Sequence, residues 1–469
     1  MIGNATPAGP QARPRFRPVP GRPGTPAPAL VLTAAMLGFF MIALDALAVN
    51  VALPGIAREL GGSTAALQWI VDGYTLMFAA LLLSAGACSD RFGASRAYAA
   101  GLTVFTLASM ACGLAPTLGL LITARVVQGS AAALMLPASL ALVRQAYPEA
   151  AARARAIALW TAGGAVAAAA GPVAGGVLTS LTSWRAIFFL NLPVGLAILV
   201  LLARVPRSPR RPAALDLAGQ VSAIVALGAL TFGVIEGGSA GFGRPATLLS
   251  LLIAAAAAAA FVVAERRAAD PMVPFGLFRS RPTLVSLLTG FTVNAAFYGL
   301  VFVLGLYFQD LLGLSALRAG LMFLPMSGLV AAANVASARA AGRYGPRVPI
   351  VTGQVICALG LLGLLAAAGA GTSPSLLAVL LIPLGVGLGF AVPSITAAML
   401  AGVAPERAGL AGGVFNSVRQ VGSALAVAVF GALVAHHATF LTGLRISLLT
   451  CAAMLLATAA AALARPATS

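Results

Sequence analysis

The chain has 469 residues, 60% hydrophobic and only 9% charged, and a mean hydropathy of +1.00 that soluble globular domains do not sustain. Its formal charge of +18 comes from 29 basic residues, all Arg, spread through short loops rather than gathered on one arm or face, which argues against a nucleic-acid binder. Cys88, Cys112, Cys357 and Cys451 stand singly, without CxxC spacing or His partners, so neither a metal site nor a disulfide framework is indicated.

Residues 1–28 are Pro-rich and Arg-bearing and read as a disordered cytosolic tail. The first apolar run is of full membrane length, so it reads as a spanning helix and not a cleavable signal. Runs of about 20 apolar residues then recur to the end of the chain. They predict spans near 29–52, 67–86, 98–116, 118–142, 157–179, 186–203, 217–236, 246–264, 283–307, 318–338, 348–369, 375–398, 410–434 and 447–464. With both termini in the cytosol, 22 Arg fall on that side, five outside and two, Arg125 and Arg419, within spans. The positive-inside rule favours this orientation.

The two halves repeat weakly at an offset of about 252 to 256 residues. Gly38-Phe39 returns as Gly290-Phe291, Arg91-Phe92-Gly93 as Arg343-Tyr344-Gly345, and Gly129 with Pro137 as Gly385 with Pro393. The shared offset pairs spans one to six with nine to fourteen. The expected architecture is all-α: a six-helix bundle over 29–204, a linker with two inserted helices over 205–282, and a second six-helix bundle over 283–469.

Ionisable residues inside spans carry the functional signal, because each costs about 2.5 to 3.5 kcal/mol at a helix centre on insertion scales. Asp45 in span one, Asp72 in span two and Arg125 in span four all fall in the outer half. Lost hydration favours a neutral carboxyl and a nearby guanidinium favours a charged one, so such a pair can switch as water access changes. The alternatives are a permanent Asp45–Arg125 salt bridge that only locks two helices, and an Asp72 that reaches interfacial water. Phe297 stands where the repeat would place a second Asp45, so coupling is expected in the first bundle alone.

Span five carries two rows of small residues, Gly163, Ala167, Gly171 and Gly175 beside Gly164, Ala168, Pro172 and Gly176. Such rows permit close helix packing, and Pro172 removes a backbone donor. The turn from Gly86 to Arg96 sets Asp90 beside Arg91 and Arg96 at a helix end, with Gly86 and Gly93 permitting chain reversal. It reads as a gate, or as a charged turn that merely obeys the positive-inside rule. Asn50, Tyr74, Gln128, Glu236, Tyr307, Gln309, Asn416 and Gln420 are polar or aromatic groups in apolar spans and are candidate cavity residues, although any of them can simply bond a neighbouring helix. His436 and His437, the two histidines, read as a solvated loop rather than a metal site.

These motifs, taken in order, resemble those of the major facilitator superfamily, in particular its fourteen-span drug and proton antiporter branch. LDALAVNVALP (44–54) is similar to the first-helix signature, WIVDGYTL (69–76) to the second, Gly86–Arg96 to the gating motif, and RVVQG (125–129) to the fourth-helix motif tied to proton transfer. GPVAGG (171–176) resembles the antiporter motif, and SWRAIFFLNLPVG (183–195), LYFQDLLG (306–313) and NSVRQVG (416–422) are further matches. Leu47 replaces the usual Thr, and Cys88, Ala94 and Ser95 replace Leu and basic residues of the gating motif, which leaves Asp90 fewer partners. The resemblance implies a monomeric exporter of amphipathic or hydrophobic small molecules in a bacterial cytoplasmic membrane. Its energy source would be the proton gradient, with no cofactor or metal. A proton-coupled importer would predict a more polar cavity and no antiporter motif. A membrane sensor would need a soluble domain, and an enzyme a nucleophile with its base, a metal cluster or a phosphate loop; no such pattern is legible.

Overall fold

The computed structural model describes residues 28–210, 216–268, 271–273, 275–369, 371–401, 403 and 408–464; the expected N-terminal tail falls almost wholly outside them. Among the described residues the chain is all helix and loop. The long helices are α1 (Pro28–Leu60), α2 (Thr64–Phe92), α3 (Ala94–Gly113), α4 (Leu118–Ala146) and α5 (Ala150–Leu181). They continue as α6 (Arg185–Leu202), α7 (Leu217–Ala240), α8 (Pro245–Arg267), α9 (Arg281–Leu311), α10 (Ala316–Tyr344), α11 (Arg347–Ala367), α12 (Pro374–Ala401), α13 (Ala408–Leu433) and α14 (Phe440–Leu463). Thirteen of these are long and apolar enough to cross a membrane. The exception is α3, whose 20 residues include Arg96 and several hydroxyl side chains.

Several helices outrun the apolar stretches that announce them. α1 has 33 residues, about 50 Å at 1.5 Å per residue, against a hydrocarbon core of about 30 Å. It passes through Pro54 without ending, and α2 continues through Gly86 to Phe92. Gly86 therefore makes no chain reversal, contrary to expectation, and a Cβ there would meet open space. The reversal belongs to Gly93 at φ 88°, repeated by Gly345 at φ 80°; at both, only a residue without Cβ enters this conformation freely. Helical breaks at Leu190, Phe323 and Leu381 sit just ahead of Pro193, Pro325 and Pro383, where the ring removes a donor and crowds the preceding turn; a further break in α10, at Leu329, has no proline after it.

The helix pairs of the first six recur in the last six: α1 packs on α5 as α9 on α13, α2 on α4 as α10 on α12, and α3 on α4 as α11 on α12. One repeated glycine pair explains how closely they approach. A Cβ on Gly129 would lie 2.8 Å from the Tyr74 Cα, and one on Gly385 would lie 3.0 Å from the Met326 Cα. α7 and α8 pair with each other, and α7 lies against both α2 and α13. The two sets of six meet mainly through α2 against α13 and α5 against α10.

All hydrogen bonds between described residues of the two sets lie toward the end where α1 gives way to α2. Gln68 donates to the carbonyls of Val427 (3.2 Å) and Ala428 (2.8 Å), Gln309 to Val51 (2.9 Å), and the Leu317 amide to the Ser180 hydroxyl (3.0 Å). α5 serves both the bundle and this seam. Its first small row faces α1, where a Cβ on Gly171 would stand 2.8 Å from the Leu47 Cβ and one on Gly175 2.9 Å from the Ala48 Cα. From the second row, Gly176 faces the Ala316 carbonyl at 2.6 Å from such a Cβ, and the Pro172 carbonyl abuts Gly320.

Gly385→Val and Gly129→Val press a branched side chain against backbone that no rotamer change can clear. Each is expected to lower stability by about 1 to 3 kcal/mol or more, read as lost monodisperse protein and an earlier thermal transition in detergent. Gly413→Ala, where a Cβ meets nothing, should leave both unchanged.

Candidate functional site

Inside the first six helices one polar cluster interrupts the apolar packing. Asp45 of α1 pairs with Arg125 of α4, and both are 1% exposed. The cluster grows outward from that pair. Gln128, one turn along α4 from Arg125, accepts from the Arg125 guanidinium at 2.9 Å and donates to the Asp45 carboxylate at 3.1 Å. Asn191 of α6 donates to the same carboxylate oxygen and to the Ser109 hydroxyl, both at 2.9 Å, while Ser109 donates to the Phe188 carbonyl at 2.8 Å. Arg125 also donates through Nε to the Ile70 carbonyl of α2 at 3.1 Å. Its guanidinium carbon lies 4.1 Å from the centre of the Tyr74 ring, and the Tyr74 hydroxyl donates to the Ile42 carbonyl at 3.4 Å. Five helices thus converge on one charge pair, and Asp45 accepts from three donors.

Local sequence accounts for this convergence. Arg125 and Gln128 are three apart on α4 and so share a face. Gly129 then lets α4 approach α2 closely enough for Arg125 to lie across Tyr74. Asn191 follows the helical break at Leu190 that Pro193 forces. Sequence reasoning missed Asn191 as a site residue, although it is the single polar side chain between Ala186 and Leu202; that isolation is the signal that would have found it.

Asp72 is elsewhere. It is 0% exposed, so it does not reach interfacial water, and neither of its oxygens has a hydrogen-bond partner. It lies one turn along α2 from Gln68, on the side of the helix turned to the seam with α13. Asn50 bonds the carbonyls of Ala46 (3.1 Å) and Leu47 (3.4 Å) in its own helix. Tyr307 donates to the Gly369 carbonyl at 2.7 Å, and Gln309 spans the seam to Val51. Asn416 and Gln420 are half-buried on α13, whereas Glu236 lies on α7 of the inserted pair, one turn beyond Phe232, which meets Trp69 of α2. At the other end of the bundle Asp90 and Arg91 are exposed, and Arg96 donates to the Phe92 carbonyl at 3.4 Å. Asp90 forms no ion pair among the described residues; the pairs there are Asp45–Arg125 and Glu59–Arg185. Among the described residues no group of His, Cys, Asp and Glu is arranged to hold a metal ion.

Removing one partner of a buried pair strands the other charge. Arg125→Ala is expected to destabilise the protein by about 3 to 5 kcal/mol, and the double variant Asp45→Asn/Arg125→Gln to recover most of that loss, as read by thermal unfolding in detergent. A double variant as unstable as Arg125→Ala would mean that the pair's charge balance is not what holds these helices.

The chain matches the Major Facilitator Superfamily over residues 35–427. It is 41% identical over 408 residues to the multidrug resistance protein Stp of Mycobacterium tuberculosis, covering 87% of this chain and 76% of that protein. It is 37% identical over 423 residues to the methylenomycin A resistance protein of Streptomyces coelicolor, covering 90% and 88%. Among solved structures, a POT family transporter in complex with 5-aminolevulinic acid superposes with a TM-score of 0.68 at 13% identity, covering 92% of this chain and 94% of that one. At that identity the likeness speaks for the fold alone. This multi-pass membrane protein belongs to the Major Facilitator Superfamily.

Proposed function

We propose that the chain is a drug exporter that moves amphipathic or hydrophobic small molecules out across a bacterial cytoplasmic membrane by alternating access, in exchange for protons. The observation that carries this reading is the buried Asp45–Arg125 pair with Gln128 and Asn191, set in a chain 41% identical to a protein named for multidrug resistance. One charge moving down about 100 mV supplies about 2.3 kcal/mol, enough for roughly a fifty-fold gradient since 1.36 kcal/mol is tenfold. Protonation of Asp45 would free Arg125 from its counter-charge and loosen five helices at once. Asp72, buried at the seam without a partner, is the second coupling candidate, because opening that seam would bring water to it.

The architecture that goes with this function has fourteen spans, with α3 as the fourteenth, covered on its inner face by α4 and α6. The first bundle runs over 29–204, the inserted pair over 205–282 and the second bundle over 283–469, and the exporter works as a monomer. The Arg distribution supports cytosolic termini, so the shut end is the outer one and the site is approached from the cytosol. Gly171, Gly175 and Ala48 would keep the first bundle rigid while Gly176 and Gly320 part, and the turn bearing Asp90, Arg91, Gly93 and Arg96 would close the inner side in the opposite state.

Uphill efflux of antibiotics and cationic dyes from energised cells, at matched expression, tests this. The wild type should extrude compounds against a gradient, a protonophore should abolish the flux, and Asp45→Asn should reduce it at least tenfold. Efflux that ignores the protonophore removes the proton from the reading. Gly176→Val, which props the seam at Ala316, should give normal amounts of folded protein with efflux near background.

A further inference from the structure

The two membrane-embedded arginines differ in one respect. Arg125 faces a carboxylate, whereas Arg419, at mid-helix in α13, faces only amide oxygens. Its Nε (3.1 Å) and Nη2 (2.9 Å) donate to Asn294 Oδ1 of α9, and its Nη1 donates to Asn416 Oδ1 at 3.4 Å. Among the described residues no Asp or Glu pairs with it, and the titratable side chain near it is Tyr298. A cation at this depth without a counter-charge is rare in spanning helices and marks a binding or transport site by default.

The guanidinium is also held in place. Asn294 is fixed by its own donation to the Ser423 hydroxyl at 2.9 Å, and Ser423 donates to the Arg419 carbonyl at 3.3 Å. The Phe415 ring lies 5.7 Å from the guanidinium carbon. Of the five N–H donors on an Arg side chain, three are used and two remain, one on each terminal nitrogen. That is the number a carboxylate takes in a bidentate pair. α13 is covered by α2, α7, α9 and α14, and Arg419, Asn416 and Gln420 are half-buried on it.

We propose that Arg419, oriented by Asn294 and Asn416, is a substrate subsite for an organic carboxylate, and that the transporter prefers amphipathic acids to their neutral counterparts. The inference rests on the exporter reading for its cellular meaning but not for its test. In this arrangement a substrate acid supplies the counter-charge that the protein withholds, while Phe415 and its apolar neighbours take the body of the molecule.

The test uses purified full-length protein in detergent and in proteoliposomes, with 1-pyrenebutyrate and its methyl ester as probes: one apolar body with and without the charge. The wild type is expected to bind the acid at least tenfold more tightly than the ester, by fluorescence titration. Arg419→Gln should bind both alike, with ester affinity unchanged. Arg419→Lys, which keeps the charge but lacks the planar fork, should fold even if the Gln variant does not, and should lose several-fold of the acid preference. A wild type without preference, a preference unchanged in both variants, or equal losses for acid and ester overturns the proposal; the last is what a merely structural Arg419 predicts. Acid-selective binding without outward flux of either probe in proteoliposomes would support the subsite and count against export instead.

Discussion

Hydrocarbon offers a charge no water, and the first bundle is organised around the answer to that constraint: Asp45 and Arg125 neutralise each other, while Gln128, Asn191 and the Ile70 carbonyl take up the polar valences left over. Each partner comes from a different helix or turn, so the pair also sets where α1, α2, α4 and α6 stand. A change of charge at Asp45 is therefore a change in how these helices meet. Val51, which accepts across the seam from Gln309, lies less than two turns from Asp45 on α1. The charge pair and the seam share one helix, and in the proposed cycle this is the shortest mechanical link between proton and gate.

Small residues divide the molecule into parts that stay together and parts that can separate. Within each set of six, Gly129 on Tyr74, Gly385 on Met326 and Gly175 on Ala48 bring backbone against backbone. Contacts this close leave no room for adjustment, so each block behaves as a packed unit. The seam between blocks has close approaches of the same kind, Gly176 on Ala316 and Gly320 on Pro172, but its hydrogen bonds are few, and they lie at one end of the helices. A join made of few directed bonds at one end can open by a tilt of one block against the other, whereas the interior of a block cannot.

Much of this was legible in the chain itself. The weak repeat singled out Gly129 and Gly385, and they prove to do the same job in the two halves. The first small row of span five faces α1, and the second divides, with Gly164 against Phe39 of α1 and Pro172 and Gly176 against α10. Asp45, Arg125 and Gln128 stand out because polar groups in apolar runs are rare, and they meet in one cluster. Other residues were hidden. Asn191 and Ser109 complete the cluster only because α3 and α6 lie beside α1, and Asn294 matters only because α9 carries it to Arg419. Gly86 looked like a turn residue, but the helix it sits in continues to Phe92, since backbone hydrogen bonds persist beyond the apolar stretch that reveals a span.

The sequence by itself determined the environment, the number and rough limits of the apolar runs, the twofold repeat and the identity of the buried ionisable groups, because each of these follows from composition and periodicity along one helix. Only the tertiary structure decided which of those groups are neutralised. Asp45 meets Arg125, Asp72 is buried at a seam without a partner, and Arg419 finds amides in place of an acid. Pairing depends on which helices are neighbours and how they are rotated about their axes, and in a bundle whose helices are apolar on nearly every side the sequence pattern leaves that rotation open.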